Sequence, residues 1–253
     1  MSDKIEILDH GYVQFVEKWG SDESIIEAAR MSTNKGFQGW GPKKVFKDDT
    51  SKEASDFTAP ELVKEVPGDE KLLAFLWNNK HATPFEMAGM VIEVQAPIFV
   101  FREWHRHRTQ SYNELSARYT PLPDVNYVPT VERLMLGSDG KNKQAGTVQD
   151  AIPLTEENAQ VYQIALKLQY KNAQDLYEKA LISGVPKEIA RIHLPVGRYS
   201  RMRASANLRN WLAFLTLRMD SKAQWEIRQY ANVVGELIKK NYPRTWELFV
   251  GGA

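Results

Sequence analysis

The longest helical pattern in the sequence runs from Thr155 to Gly184. Apolar residues recur at helical spacing, at positions 161, 164, 165, 168, 176 and 180, and such a stripe is typical of a helix face that packs against other elements. Thr155 is a favoured N-cap residue, and Gly184 is a favoured residue just beyond a helix end. We therefore predict one helix across the whole segment, and any fold of this chain must accommodate it.

Alternation of apolar and polar residues predicts strands elsewhere in the chain. In 90–97 (MVIEVQAP), the side chains of Ile92, Val94 and Ala96 would share one side of a half-buried strand. Extended structure is also predicted over 4–16, with a turn at His10 and Gly11, and over 196–206.

Further helices are predicted over 21–32, 59–66, 69–79, 98–108, 207–218 and 221–240. Three starts have favoured capping residues: Thr83 before Pro84, Asn207, and Ser221 with Gln224 as a capping box. Polar segments predict surface loops at about 36–58 and 136–153. Because no repeat or clear linker interrupts the pattern, we predict a single α+β domain over 1–253, with a mainly antiparallel sheet and flanking helices.

Composition excludes several kinds of protein. The chain has no cysteine, which rules out disulfides, thiolate metal sites and a cysteine nucleophile. No apolar run approaches the roughly 20 residues of a membrane span, and the first residues lack a signal peptide. A net charge of +1 argues against a nucleic-acid polycation. We therefore expect a cytoplasmic protein with neither a membrane nor a nucleic acid as partner.

Arginines are concentrated in two windows. Four of the 14 arginines lie in 102–118 and six lie in 191–218, and neither window contains a lysine. Solubility alone would use both basic residue types, whereas arginine suits bidentate binding of phosphate and stacking on rings. The second window also places arginines beside apolar helix positions. This pattern favours a pocket for an anionic ligand that contains a ring.

Other kinds of site have weaker support. His105 and His107 could bind one metal ion together if they lay on a strand, where residues i and i+2 share a face. In the predicted helix their side chains diverge, so no metal is expected. The segment GFQGWGPKK has Pro42 where a P-loop needs lysine. A nucleophilic serine paired with His107 would lack the usual G-x-S-x-G turn. A surface that binds RNA or DNA without catalysis remains the main alternative, although Glu114 would repel a phosphate backbone.

The segment RHRTQSYNELSARY (106–119) resembles the signature of the flavin-dependent thymidylate synthases. In that family R-H-R is followed, after seven residues, by serine; here these are Arg106, His107, Arg108 and Ser116. Similar segments follow the same order along most of the chain: AARMS (28–32), HATPFE (81–86), APIFV (96–100), SGVPKEIARIHLP (183–195), NLRNWL followed by LTLR (207–218) and DSKAQWEIRQYA (220–231).

The resemblance implies a reaction. Such enzymes convert dUMP into dTMP, with methylenetetrahydrofolate as the one-carbon donor and NADPH as the reductant through FAD. The absence of cysteine agrees with this family, because its chemistry uses hydride from a reduced flavin where other thymidylate synthases use a cysteine thiolate. The resemblance also implies a homotetramer with shared active sites. A flavoprotein that acts on another nucleotide is a second enzymatic alternative.

The resemblance also implies roles for particular residues. Those expected to contact FAD are Ser32, Thr83, Arg106, His107, Arg108, Glu114, Asn207 and Arg209. Those expected to surround dUMP are Glu103, Arg106, Ser116, Ala117, Arg118, Arg191 and Arg218. Arg118 and Arg191 would bind the phosphate, and Ser116 would bind the nucleotide without acting as a nucleophile. Arg218 would be catalytic, because a fixed cation beside the uracil can stabilise negative charge that develops there.

Three positions depart from the family pattern. Glu103 stands where glutamine is expected next to the nucleotide, Ala213 where asparagine or histidine is usual near the flavin, and Lys222 where histidine is common. Glu103 matters most, because a carboxylate near dUMP must avoid its phosphate.

Overall fold

The computed structural model of the protein describes residues 4–46, 62–136 and 154–251. The chain forms two compact units. Unit 1 comprises Met1–Glu17, Met90–Ala206 and Asn210–Leu237, and unit 2 comprises Lys18–Gly89, Asn207–Arg209 and Ile238–Ala253. The predicted α+β class is confirmed, because helices and sheets both contribute. The extent of one domain over 1–253 stays a prediction.

The strands form two sheets. The strands are β1 (Lys4–Ile7), β2 (Gly11–Trp19), β3 (Lys43–Phe46), β4 (Leu62–Val66), β5 (Gly89–Pro97), β6 (Ser111–Glu114) and β7 (Tyr199–Asn207). Five of them form a sheet in the order β1-β2-β5-β7-β6, and β3 pairs with β4. The β1–β2, β6–β7 and β3–β4 pairs are antiparallel.

Nine α-helices are interspersed with these strands along the described part of the chain. They are α1 (Asp22–Arg30), α2 (Glu70–Asn78), α3 (Ile98–Trp104), α4 (Val131–Met135), α5 (Glu156–Ile182), α6 (Lys187–Ala190), α7 (Leu208–Arg218), α8 (Trp225–Asn241) and α9 (Pro243–Gly251). Short 3-10 turns cover Met31–Thr33, Thr83–Glu86 and Arg191–His193.

Several sequence predictions are confirmed. The extended segment 4–16 is the start of the β1–β2 hairpin, and α1, α2 and α5 lie within or close to their predicted ranges. In β5 the side chains of Ile92, Val94 and Ala96 are buried on one face. The strand predicted over 196–206 begins later, at Tyr199, because Arg198 N–H closes a turn onto the Pro195 carbonyl at 3.0 Å.

The helix predicted over 59–66 is wrong. Residues 62–66 form β4, which pairs with β3, with Lys44 opposite Glu65. Lys43–Phe46 was predicted as part of a surface loop and is a strand for the same reason, since each segment supplies the other's hydrogen-bond partners. Residues 47–58 of the first predicted loop and 137–153 of the second lie outside the described residues, and residues 36–42 form neither helix nor strand.

Two predicted caps are wrong. Thr83 begins a single 3-10 turn whose N-cap is Ala82, so it does not cap a longer helix. The capping box at Ser221 does not start α8, because Asp220 holds a turn there: its Oδ1 accepts from Lys222 N–H at 2.7 Å. Helix α8 then begins at Trp225.

Helix α3 is shorter than predicted. It ends at Trp104, and His105 is its C-cap. His105 and His107 therefore follow the helix, so the helical divergence that argued against a histidine metal pair does not apply.

The apolar stripe of α5 faces away from the core of the chain. Ile164 and Leu168 are 68% and 59% exposed, and positions 161, 165 and 176 are exposed as well. The buried side of the helix instead carries Ala159, Ala173, Gln174 and Tyr177. The helix itself is confirmed, and within the described residues its apolar stripe is not covered by the same chain.

The core of unit 1 fixes the ends of two helices. Trp104, at the end of α3, is fully buried and stacks on Phe214 of α7 with ring centroids 4.6 Å apart. Trp211 of α7 is also fully buried, and its indole N–H donates to the Met90 carbonyl of β5 at 3.0 Å. Because α3 and α7 are packed through these large rings, the residues at their C-terminal ends have defined positions.

Candidate active site

Arg218 is the last residue of α7 and the most completely fixed of the candidate residues. Its Nε donates to His107 Nε2 at 2.9 Å, and its Nη1 donates to Glu103 Oε2 at 2.9 Å. Its Nη2 donates to the Glu103 backbone carbonyl at 2.8 Å. Among the described residues these bonds use three of the five guanidinium N–H groups, so two remain for a ligand. The side chain is 15% exposed.

The turn that carries Arg106, His107 and Arg108 is stabilised by neighbouring side chains. The indole N–H of Trp104 donates to Gln110 Oε1 at 3.1 Å. The Tyr112 hydroxyl donates to the His107 carbonyl at 2.8 Å. Gln110 and Tyr112 were not predicted as supports of the site, and their only signal in the sequence is their position inside the 106–119 segment.

His107 is a neutral hydrogen-bond acceptor in this arrangement. Burial, and to a smaller extent the Arg218 cation, lower the pKa of His107 to about 4, although the Glu103 carboxylate acts in the opposite direction. A guanidinium only donates hydrogen bonds, so Nε2 must carry a lone pair and the ring proton must be on Nδ1. The imidazole also meets the Phe214 ring edge-on, at 4.9 Å between centroids.

Arg106 and Arg108 point their charge toward solvent. Both side chains are exposed, and neither forms an ion pair with any residue in 4–46, 62–136 or 154–251. Glu114 is exposed as well, at the end of β6. The turn thus offers two guanidinium groups that can pair with an anionic ligand.

The serine of the signature lies in a tight turn after β6. Its backbone carbonyl accepts from Tyr119 N–H, and its Oγ accepts from Arg118 N–H at 3.3 Å. Ala117 is buried, which fixes the turn. Because His107 Nε2 already accepts from Arg218, this lone pair is not available to take a proton from Ser116.

Arg118, in this turn, and Arg191 are the two arginines predicted to bind the phosphate. The Nε of Arg118 lies 3.3 Å from Glu188 Oε2, and both side chains are more than half exposed. Arg191 begins the 3-10 turn that follows α6, three residues after Glu188, and is half-buried. An exposed ion pair of this kind contributes little, so an anionic ligand can replace Glu188 as the partner of Arg118.

The remaining FAD candidates belong to unit 2. Arg209 pairs with Glu86, which shares the 3-10 turn of Thr83. The Ser32 hydroxyl donates to the Ala29 carbonyl at 3.0 Å. Asn207 is the last residue of β7. Unit 1 holds Arg106, His107, Arg108 and Glu114, so the predicted FAD residues are divided between the two units.

Two further properties concern only the part of the chain that the structure describes. Within it, no cluster of three or more histidine, aspartate or glutamate side chains is arranged to hold a metal ion. Within the same residues, no helix combines the length and the apolar character that crossing a membrane requires.

The arrangement around Arg218 can be compared with known proteins. A family model described as thymidylate synthase complementing protein matches residues 14–244. The chain belongs to this family. Residues 106–119, whose resemblance first indicated such a family, lie inside the matched range, and so do Glu103 and Arg218.

Relatives in this family match nearly the whole chain. A protein named flavin-dependent thymidylate synthase from Ehrlichia ruminantium (strain Gardel) is 36% identical over 245 residues, which is 97% of this chain and 72% of the relative. A protein of the same name from Thermosipho melanesiensis is 35% identical over 250 residues, which is 98% of this chain and 93% of the relative. Among solved structures, the UMP/dUMP methylase PolB from Streptomyces cacaoi, bound with 5-Br UMP, is 30% identical and has a TM-score of 0.75. The match covers 98% of this chain and 96% of the PolB chain.

Proposed function

We propose that this protein is a flavin-dependent thymidylate synthase that methylates dUMP to dTMP. Methylenetetrahydrofolate would supply the carbon, and NADPH would supply electrons through FAD. The observation that carries the proposal is Arg218, a cation held by His107 and Glu103 inside a member of this family. The names of the relatives and the UMP/dUMP methylase fold support the same reaction.

The described residues fit a phosphorylated flavin. Arg106 and Arg108 are exposed and have no carboxylate partner in the described ranges, so they suit the pyrophosphate of FAD. Arg209, Asn207, Ser32 and Thr83 would contribute further contacts. Bound FAD would supply the reducing chemistry, and the side chains would bind and orient the reactants.

The nucleotide would be bound mainly through its charge. Arg118 and Arg191 would hold the phosphate, and Ser116 would donate its hydroxyl hydrogen to the nucleotide while its Oγ accepts from Arg118 N–H. Ser116 would not form a bond to uracil, since a serine needs a base to become a nucleophile and the acceptor nitrogen of His107 is already engaged by Arg218.

Arg218 would act on the uracil ring. Before C5 of uracil can attack the one-carbon unit as a nucleophile, the ring must become electron-rich, and that negative charge is shared by N3 and the adjacent carbonyl oxygen. The two unused N–H groups of Arg218 can stabilise that charge without rearrangement, because three bonds already hold the guanidinium in place. The neutral His107 ring orients the cation without adding a competing positive charge.

Reconstitution tests this function directly. Purified protein is mixed with FAD, dUMP, methylenetetrahydrofolate and NADPH, and dTMP is measured together with flavin absorbance. We expect NADPH to bleach the bound flavin and dTMP to form. Failure to bind FAD at high micromolar concentration would contradict the proposal, whereas colourless protein with salt-sensitive binding to RNA or DNA would favour the non-catalytic alternative. Flavin reduction without dTMP formation would favour another nucleotide as substrate.

We also propose a homotetramer in which α5 contributes an interface. Ile164 and Leu168 belong to an exposed apolar stripe, and exposed stripes of this kind mark contact surfaces. Leu168→Glu should therefore shift the assembly toward smaller species, measured by light scattering during size-exclusion chromatography. Gln169→Glu, on the adjacent exposed position, is the control and should leave the mass unchanged. Equal masses for both variants would exclude this face as an interface.

A further inference from the structure

We propose that Glu103 determines the base specificity of the site by accepting a hydrogen bond from N3–H of uracil, which excludes cytosine. This inference rests on the proposed function, in which Arg218 faces the pyrimidine ring. It assigns a role to the residue that departs from the glutamine expected at this position.

The carboxylate of Glu103 has one occupied and one available oxygen. Oε2 accepts from Arg218 Nη1 at 2.9 Å, while Oε1 accepts no hydrogen bond from any residue in the described ranges. The side chain is 44% exposed, so a ligand can reach it. Arg218 and Glu103 therefore present guanidinium donors directly beside an acceptor, and their orientation is fixed by the additional bond to the Glu103 carbonyl at 2.8 Å.

This donor–acceptor pattern is complementary to uracil. The uracil edge has an N3–H donor between two carbonyl acceptors, so N3–H can donate to Glu103 while a carbonyl accepts from Arg218. Cytosine has a lone pair at N3, which a carboxylate repels, because an ionised carboxylate only accepts hydrogen bonds. Cytosine could satisfy both groups only by sliding one position along its edge, and a phosphate held by Arg118 and Arg191 opposes that movement.

The same bond would favour the reaction. A carboxylate that accepts from N3–H increases the electron density of the ring, while Arg218 stabilises the charge on the adjacent carbonyl. A glutamine could not provide this discrimination, because rotation of its amide would offer either a donor or an acceptor to N3. A site that relies on a specific hydrogen bond typically rejects an analogue lacking it by roughly 10⁴-fold.

Nucleotide binding to the FAD-loaded enzyme tests the inference. The dissociation constants of dUMP and dCMP are measured by calorimetry for the wild type, Glu103→Gln and Glu103→Asp. We expect the preference for dUMP over dCMP to fall at least about tenfold in Glu103→Gln. Glu103→Asp keeps the carboxylate and should retain the preference, even if both nucleotides bind more weakly. An equal change for both nucleotides in Glu103→Gln would overturn the proposal, since a merely structural residue affects both alike.

A modified nucleotide provides a test that needs no variant. N3-methyl-dUMP lacks the N3–H donor and should bind the wild type at least about 100-fold more weakly than dUMP. Binding as tight as that of dUMP would also overturn the proposal. The proposed function is checked separately by dTMP formation in the wild type. If dTMP forms but the preference does not depend on Glu103, only the specificity role fails, whereas absence of dTMP removes the proposed function itself.

Discussion

Arg218→Ala is expected to lower the rate of dTMP formation by about 10²–10³-fold while FAD affinity stays nearly unchanged. The guanidinium is held by three hydrogen bonds to His107 and Glu103, so its position does not depend on the ligand. A preorganised cation contributes most where charge develops in the transition state, and its removal therefore slows the reaction more than it weakens binding.

Arg218→Lys separates charge from geometry. Lysine keeps the positive charge but lacks the planar set of donors that reaches His107 Nε2, Glu103 Oε2 and the Glu103 carbonyl together. We expect this variant to recover only a small part of the lost rate. Arg228→Ala is the matched control, because its guanidinium donates to the Ser221 carbonyl of the preceding turn, away from these contacts.

The measurement is single-turnover dTMP formation, combined with flavin titration of each variant. Near-normal turnover in Arg218→Ala would show that the residue is structural. Loss of FAD binding in parallel with turnover would assign Arg218 to the cofactor rather than to the nucleotide.

Regular elements with local signals were predictable from the sequence. The helix from Thr155 to Gly184 and the strand over 90–97 follow from periodicity and capping residues that lie within each segment. The strand Leu62–Val66 was not predictable in the same way, because its partner Lys43–Phe46 lies in a segment with no strand pattern of its own. The exposure of the apolar stripe of α5 could not be predicted either, because periodicity reveals an apolar stripe but not whether the same chain covers it.

In the candidate site, too, local sequence indicated residues but not the contacts between distant residues. The segment 106–119 identified His107 and Ser116 through its resemblance to a family, without any knowledge of their contacts. The bond between Arg218 and His107 joins residues 111 positions apart and depends on how α3 and α7 pack. Such a contact depends on tertiary structure, so a single sequence could suggest both residues but not that one orients the other.

Asp69→Ala is expected to destabilise the protein by about 3 kcal/mol. Asp69 is only 1% exposed. It pairs with Arg30, and its Oδ2 accepts from the backbone N–H groups of Gln38 and Gly39 at 2.6 and 3.2 Å. Although Asp69 precedes α2 as its N-cap, its side chain does not cap that helix and instead holds residues 38–39. Removing it leaves a partly buried guanidinium and two backbone donors without their acceptor.

The effect should depend on pH in a defined direction. Burial alone would raise the pKa of Asp69, but the bonds from Arg30, Gln38 and Gly39 outweigh it and hold the pKa below the ordinary value of 3.8. A carboxyl group with a lowered pKa stabilises the folded state above its unfolded pKa, and this contribution is lost as the pH falls through the folded value. The difference between wild type and Asp69→Asn should therefore be full at neutral pH and shrink only below about pH 4.

Urea unfolding at several pH values measures both effects. Asp175→Ala is the control, because Asp175 forms an exposed pair with Lys171 at 2.7 Å, and removal of such a pair typically costs about 0.5 kcal/mol or less. If the two alanine variants lose equal stability at pH 7, the buried contacts of Asp69 do not hold residues 38–39. A constant difference between wild type and Asp69→Asn down to pH 3 would instead show that the stabilisation does not come from the ionised carboxylate, because protonation of Asp69 removes the negative charge that asparagine also lacks.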